Sequence, residues 1–344
     1  MTILVTGASG HIGLTLIHRL TELGCRVRAL ARDETHQLAD RGVEVVKANI
    51  CDEASLHPAF RDVEVVYHLA GYISIRMDEW PTLEAINVLG VQNVVKLCKQ
   101  YHIRRLVHFS SLEVFVDTPP SEPLDETRPL VPADFFLPYA RSKALGQRLV
   151  IDAANHGLEV VIIYPSAVIG PYDYQFRAAN GFLLQVAKGA MPVITSGGYN
   201  WVDVRDVVDG AIRAEKQAPP GASYILSNEW VSLRALTVMM HELGGAPIPR
   251  FIMPLGFARW LIAPMSSIAR LRNSPSLLTE GSVYALGSNR HVSHERATRD
   301  LGYKPRPLPE TLADTLQWFV AEGFLPARKK TNTPDSADVR DYIL

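Results

Sequence analysis

The chain has little of what would direct it to nucleic acid, a disulfide framework or a metal. Thirty-five basic side chains stand against 36 acidic ones in 344 residues, a formal net charge of −1. No overall field draws it to a phosphate backbone, and no nucleic-acid partner is expected. The three cysteines, Cys25, Cys51 and Cys98, lack the spacing of a zinc site or a disulfide set. They are expected as buried thiols, and no metal is expected. No basic stretch, long apolar run or small-residue cleavage site precedes the strand-like Thr2–Thr6, so a cytoplasmic location is expected. The apolar stretch Phe251–Leu271 is broken by Pro254, Arg259, Pro264 and Arg270, which argues against a membrane span. Internal repeats and low-complexity tracts are absent.

What is present is a globular composition, 47% hydrophobic and 21% charged, long enough for one large α/β unit plus a smaller lobe. Short β-branched runs alternate with helical patterns up to about residue 164. This predicts a Rossmann-type, doubly wound parallel sheet with helices on both faces. The predicted strands are Ile3–Thr6, Arg26–Ala31, Val43–Lys47, Val65–Leu69, Arg105–Ser110 and Glu159–Tyr164. The predicted helices are His11–Leu23, Glu53–Phe60, Leu83–Tyr101 and Tyr139–Asn155, then Gln175–Lys188, Val204–Lys216, Leu233–Leu243 and Leu308–Glu322. Six prolines between Asp117 and Pro138 mark a long loop. The expected division is a dinucleotide domain over 1–170 with interleaved segments from about 195–230, a smaller α+β substrate lobe over 171–326, and a flexible tail over 327–344.

The segment Thr6-Gly7-Ala8-Ser9-Gly10-His11-Ile12-Gly13 leaves the first strand and opens the first helix, the context a dinucleotide loop needs. Gly7 permits the tight turn, Gly10 lets backbone approach a pyrophosphate, and Gly13 allows close helix–strand packing. Ser9, His11 and Ile12 complete the loop, and the helix N-terminus offers free N–H groups. Glycines in ordinary turns are the plainer alternative, but the strand-to-helix position speaks against it. Arg32 follows the second strand, where a guanidinium suits a ribose 2′-phosphate, so NADP(H) is favoured and NAD(H) is possible. The competing reading gives Asp33 the ribose hydroxyl. Asn49 and Ile50 stand at the third strand's end for the adenine, though Ile50 reads equally as core. Leu69, Ala70 and Gly71 end the fourth strand, where small residues let backbone pass close to a cofactor. His68 reads as a structural histidine.

Tyr139 and Lys143 lie four residues apart at a helix start, hence on one face. A phenol with a pKa of about 10 is a poor acid or base at neutral pH, and a neighbouring cation favours its phenolate. An incidental pair on an exposed helix is the plainer reading of these two residues alone. Ser111 follows the fifth strand at the sheet's carboxyl edge, where ligands of such folds bind. The ordered set of the Thr6–Gly13 loop, His68-Leu69-Ala70, Asn87-Val88-x-Gly90, Ser111, Tyr139-x-x-x-Lys143 and Pro165-Ser166-x-x-x-Gly170-Pro171 resembles the extended short-chain dehydrogenase/reductase family. It covers roughly the first half of the chain. Val202–Val208 is similar to a later signature of that family. The resemblance implies an NAD(P)-dependent oxidoreductase acting on CH–OH groups. In it Tyr139 is general acid/base, Lys143 tunes Tyr139 and holds the nicotinamide ribose, Ser111 orients the reacting oxygen and Asn87 orders the site. Pro165, Ser166 and Val168 belong to the cofactor site. Phe115-Val116 replaces the family's usual Tyr-Gly pair, which leaves the substrate wall open.

Tyr72-Ile73-Ser74-Ile75, Phe135-Phe136-Leu137, Tyr172–Phe176 and Phe251–Phe257 are greasy candidate lining segments. Tyr72, Ser74, Glu113, Phe135, Phe136 and Tyr172 are the expected substrate contacts. The acidic pair that the family's dehydratases carry after the catalytic hydroxyl is absent, the position reading Leu112-Glu113. With Arg32 and the run Asn289–Ser293, the pattern is similar to the 3β-hydroxysteroid dehydrogenase and dihydroflavonol reductase branch. It implies a ketone or aldehyde/alcohol conversion on a hydrophobic, steroid-, terpenoid- or flavonoid-like molecule. The alternatives are a nucleotide-sugar epimerase or dehydratase with tightly held NAD, and a non-catalytic NADP-binding regulatory protein. A homodimer through Leu83–Tyr101 and Tyr139–Asn155 is possible, and so is contact of Phe251–Leu271 with a membrane surface.

Overall fold

The computed structural model describes residues 2–32, 36–39, 42–176, 179–262, 278–288 and 290–326. The expected tail over 327–344, Asp33 and Asn289 lie outside them, as do residues 263–277, which include the end of the apolar Phe251–Leu271 segment.

Seven parallel strands form the main sheet. They are β1 Thr2–Thr6, β2 Arg26–Ala31, β3 Glu44–Lys47, β4 Val65–His68, β5 Arg105–Phe109, β6 Val160–Pro165 and β10 Ser223–Leu226, in the spatial order β3-β2-β1-β4-β5-β6-β10. The strands are almost wholly apolar because both faces are covered. On one face, α3 (Glu53–Phe60), α5 (Gly90–Gln100) and α6 (Pro138–Asn155) bury Phe60, Val91, Val94, Ala144 and Val150 against the sheet. On the other, α1 (His11–Glu22), α8 (Val204–Gln217) and α12 (Glu295–Leu301) bury Leu16, Ile17, Val207, Ala211 and Leu301. The chain reverses direction across the sheet between β1 and β4, the switch point at which such folds bind nucleotides.

The short α2 (His36–Ala39) follows β2. The smaller lobe holds a three-stranded sheet of β7 (Ala167–Ile169), β9 (Gly198–Asp203) and β11 (Glu229–Ser232), and a two-stranded one of β8 (Val193–Thr195) and β12 (Phe251–Met253). Around them stand α7 (Ala179–Ala187), α9 (Leu233–Gly244), a helix α10 over residues 255–262, α11 (Glu280–Leu286) and α13 (Leu308–Ala321). Leu183, Trp201, Leu236, Leu312 and Phe319 make their common core.

Three expectations need correction. The helix foreseen over Leu83–Tyr101 is α4 (Trp80–Glu84), a π-helical turn Ala85–Leu89 and α5 in succession. The helix foreseen from Gln175 starts at Ala179, because Asp173 Oδ1 accepts from the Gln175 and Phe176 N–H groups at 3.1 Å and holds that segment in a turn. Of the three thiols only Cys98 is buried; Cys25 is half-buried and Cys51 exposed. Cys51 lies in the turn after β3, where Asn49 Oδ1 accepts from its N–H at 3.1 Å.

Candidate active site

Gly7 leaves β1 with φ +68, and a Cβ there would come within 2.7 Å of the Ala70 nitrogen. A Cβ at Gly13 would overlap the Gly7 carbonyl oxygen. Gly10 stands at the N-cap of α1 with no side-chain cap, and the first turn carries no acid. The helix N-terminus is therefore left for an anion from outside the chain. Thr6 Oγ1 accepts from the Ala70 N–H at 3.1 Å and donates to His68 Nδ1 at 2.8 Å. His68 thus braces the turn after β4. Burial, with the nearby Lys143 charge, pushes its pKa down to about 3, so it stays a neutral brace.

A loop of the smaller lobe clasps this turn. His11 Nε2 meets the Pro171 carbonyl at 2.9 Å, Gln175 Nε2 donates to the Ser9 carbonyl at 3.0 Å, and the Tyr172 ring stands edge-on to His18 at 5.6 Å. His11 and Tyr172 are placed in this seam. Tyr172 also meets Trp318 of α13, which sets it among the smaller lobe's core and not with the residues around Tyr139. Arg32 is exposed just past β2. Ile50 is buried core, its side chain filling the space above Gly90. Asn49 is committed to the local turn that holds Cys51.

Tyr139, Lys143 and Ser142 rise from the first turns of α6. Lys143 is buried and donates from Nζ to the Phe109 carbonyl at 2.8 Å, and burial lowers its pKa to about 8. Ser142 Oγ donates to the Tyr139 carbonyl at 2.8 Å and accepts from Asn87 Nδ2 at 3.0 Å. The other side of the Asn87 amide brackets Tyr72: Oδ1 accepts from its N–H at 2.8 Å and Nδ2 donates to its carbonyl at 2.9 Å. The π-helical turn is what brings Asn87 to α6, and Gly146 makes room, since a Cβ there would strike the Asn87 carbonyl. Asn87 thereby ties α6 to the turn after β4, where a Cβ on Gly71 would sit 3.8 Å from Lys143 Nζ.

Ser111 caps the short 3-10 turn Leu112–Val114, its hydroxyl accepting from the Glu113 N–H at 3.3 Å, and it hydrogen-bonds Tyr139. Glu113 lines a cleft with Tyr139, Leu137, Pro138, Gly281 and the Ser74–Met77 segment. Its side chain opens into the cleft while protein walls surround it, and that enclosure raises its pKa to about 7. Tyr139 departs from the sequence expectation. Burial and the Glu113 carboxylate drive its phenol well above the usual value, and only the Ser111 hydrogen bond pulls it down. Lys143 turns its ammonium to the Phe109 carbonyl.

Phe135 and Phe136 stack at 4.8 Å and meet Tyr284 of α11. The Tyr72 hydroxyl donates to Glu79 at 3.1 Å and the Ser74 hydroxyl donates to the same carboxylate. Phe115 is buried against Tyr164 with ring centroids 4.7 Å apart, and Val116 N donates to Pro129 O at 2.8 Å. The altered Phe-Val pair therefore folds the long loop back on itself. Pro165 and Ser166 end β6, and the Ser166 hydroxyl is buried without a partner. Val168 pairs with Val202 in the three-stranded sheet. Gly281 and Tyr284, more than 140 positions from Tyr139, have no local sequence signal that would have placed them at this cleft. No cluster of metal-ligating side chains occurs among the described residues.

An uncapped helix N-terminus beyond a glycine turn, at the switch point of a parallel sheet, fits a dinucleotide. So do the glycine cradles that a Cβ would fill and the orphaned Ser166 hydroxyl. The class so defined is that of NAD(P)-dependent oxidoreductases with the extended short-chain dehydrogenase/reductase architecture. The chain belongs to the NAD dependent epimerase/dehydratase family, whose model matches residues 3–226. It is 30% identical to sterol demethylase protein B of Methylococcus capsulatus, over 94% of this chain and 100% of that protein. It is 27% identical to a putative dihydroflavonol 4-reductase of Synechocystis, over 93% of this chain and 95% of that one. The crystal structure of gox2253 superposes with a TM-score of 0.82 at 25% identity, covering 94% of this chain and 99% of that chain.

Proposed function

We propose that the protein interconverts a ketone or aldehyde and its alcohol on a hydrophobic small molecule, sterol-, terpenoid- or flavonoid-like, with NADP(H). The observation that carries this is the single cleft in which Tyr139, hydrogen-bonded to Ser111, faces Ile75, Met77, Leu137 and Pro138. The dinucleotide supplies or accepts the hydride. Ser111 holds the reacting oxygen, and Tyr139 gives it a proton as negative charge builds there. A phenol whose pKa is raised keeps its proton at neutral pH, which suits reduction. Lys143 holds its ammonium charge below about pH 8 and is placed beside Gly71 to bind the nicotinamide ribose. Arg32, exposed past β2, is the group that would favour a 2′-phosphate.

The names of the sterol and dihydroflavonol relatives agree with an apolar substrate. A nucleotide sugar needs cations for its diphosphate, and Arg76, the one cation lining the cleft among the described residues, is engaged by Asp78 at 2.9 Å and Glu79 at 3.3 Å.

The test offers NADPH with a panel of hydrophobic ketones and aldehydes beside UDP-sugars. Ketone-dependent NADPH oxidation is expected, falling at least about 100-fold in Tyr139→Phe with NADPH affinity kept. Turnover confined to the UDP-sugars would overturn the reading, and an active Tyr139→Phe would remove the acid/base role.

A further inference from the structure

We propose that the face made by β12 and α10 docks on an anionic lipid bilayer and opens the cleft beside Tyr139 to substrate partitioned in it. The second half rests on the apolar-substrate reading above; the first does not. From Phe251 to Ile262 the sequence reads FIMPLGFARWLI, in which Arg259 is the only polar side chain. A surface helix ordinarily turns a polar face outward. Here Ala258 is buried against Leu278 and Val283, with Leu255, Leu261 and Ile262 alongside. Phe257, 58% exposed, Arg259 and Trp260, 83% exposed, point to solvent. The preceding strand adds further exposed apolar groups: Phe251 is 66% exposed and pairs in register with the exposed Val193, and Ile248 and Ile252 are exposed close by in sequence. An outward tryptophan on a helix whose inner face is also apolar is too costly in water to be incidental.

Charge identifies the occupant. The chain as a whole is nearly neutral, yet between Leu243 and Thr279 the sequence holds Arg250, Arg259, Arg270 and Arg272 and no acid. Exposed aromatics interleaved with arginines are the composition of segments that lie in a headgroup layer, rings at the acyl boundary and guanidinium groups on phosphates. A second copy of the chain fits less well. A two-fold interface would bring together two copies of a patch whose charges, from Leu243 to Ile262, are Arg250 and Arg259, with no acid there to offset them.

The face also has a route to the site. α11 is shared between them: Val283 lies in the cluster with Ala258, while Gly281 abuts the Ile75 carbonyl and Tyr284 meets Phe135 and Phe136. The outer rim of the cleft carries exposed Ile73, Ile75, Met77 and Phe136. An apolar molecule leaving a bilayer at α10 therefore meets apolar surface on both sides of α11 before it reaches Tyr139.

The test is co-sedimentation of the full chain with phosphatidylcholine vesicles, with and without phosphatidylglycerol, at low and high salt. Binding is expected to the phosphatidylglycerol vesicles and to weaken with salt. The triple change Phe251→Ser, Phe257→Ser, Trp260→Ser should reduce it about tenfold or more, and Arg250→Glu with Arg259→Glu should do the same. All five side chains are exposed, and turnover of a short, water-miscible ketone should be unchanged in both variants. Absence of vesicle binding, or binding that both variants retain, overturns the proposal. So does a dimer, seen by sedimentation velocity without vesicle binding, that the triple variant dissolves. Loss of ketone turnover in the parent protein would sink the functional reading and leave the vesicle result standing.

Discussion

The two walls of the cleft are built by different means. The proposed cofactor wall is backbone held to close tolerance: Gly7 lies against Ala70 and Gly13 against Gly7 with no room for a Cβ between them, and Thr6, His68 and Asn87 pin the turns. The substrate wall is side chains from four distant segments, the Ser74–Met77 run, Glu113, Leu137–Tyr139 and α11. The first wall has one solution for a given ligand, and the second can be re-lined without disturbing the sheet. That is why one family holds its cofactor alike and varies its substrates.

The sharpest test of the first wall is to add one methyl to it and one, as a control, to α10 outside the cleft lining. At Gly13 a Cβ meets only backbone, the Gly7 carbonyl and, at 3.1 Å, the Ala8 Cα, so no flexible side chain can yield. Gly13→Ala should weaken NADPH binding about 100-fold or more and lower the melting temperature. At Gly256, on α10, a Cβ meets nothing within 4 Å. Gly256→Ala should leave NADPH affinity alone and change stability by about 1 kcal/mol at most, in the favourable direction. Calorimetric titration and thermal melts on the pair read this directly, and equal losses would show that the Gly13 effect is not specific to the glycine turn.

The same contrast sets how much was legible in the sequence. β2 and α3 run as foreseen, and β1, β4, β5 and β6 to within a residue at either end, because the alternation of apolar runs is a local signal. The glycine loop was legible because its requirement is local too: one turn, one helix start. The π-helical turn over Ala85–Leu89 was not, since the contact it serves, Asn87 with Ser142, spans 55 positions. Nor was β10, which reaches the main sheet only by pairing with β6. At the site, Tyr139 and Lys143 could be paired by helical spacing, and Ser111 by its place after a strand. The direction of the Tyr139 pKa could not. It depends on how deeply the phenol is buried and on the Glu113 carboxylate, neither of which the spacing of Tyr139 and Lys143 reveals. Nor could the sequence place Tyr172, whose ring meets His18 on one side and Trp318 of α13 on the other.

Between the two walls in effect lies Arg32, exposed past β2, which on the proposed reading would reach a ribose 2′-phosphate by its side chain alone. Arg32→Ala should cost NADPH about tenfold in affinity, the worth of a charge-assisted contact partly screened by water, and leave NADH nearly unchanged. Titration of both cofactors at two salt concentrations reads this. A parent protein that binds NADH and NADPH equally would give the preference no basis at Arg32.

The smallest effect tests the one group through which the substrate wall acts on the chemistry. Glu113 titrates near pH 7 in its enclosure. Below that pH it is neutral and leaves Tyr139 alone; above it, its negative charge opposes the phenolate and raises the Tyr139 pKa. Alcohol oxidation needs the phenolate as base, so its rate rises with pH as Tyr139 ionises. In Glu113→Gln the opposing charge is gone at every pH, the Tyr139 pKa falls, and the rising limb of oxidation against pH should move to lower pH. A charge several ångströms away in a partly wet cleft is worth about one pH unit. Ketone reduction, which starts from the neutral phenol, should change far less at pH 6, where Glu113 is already protonated. An oxidation limb that stays in place while the substrate KM rises would make Glu113 a substrate contact only, and the two walls would then meet at Tyr139 without any electrostatic coupling.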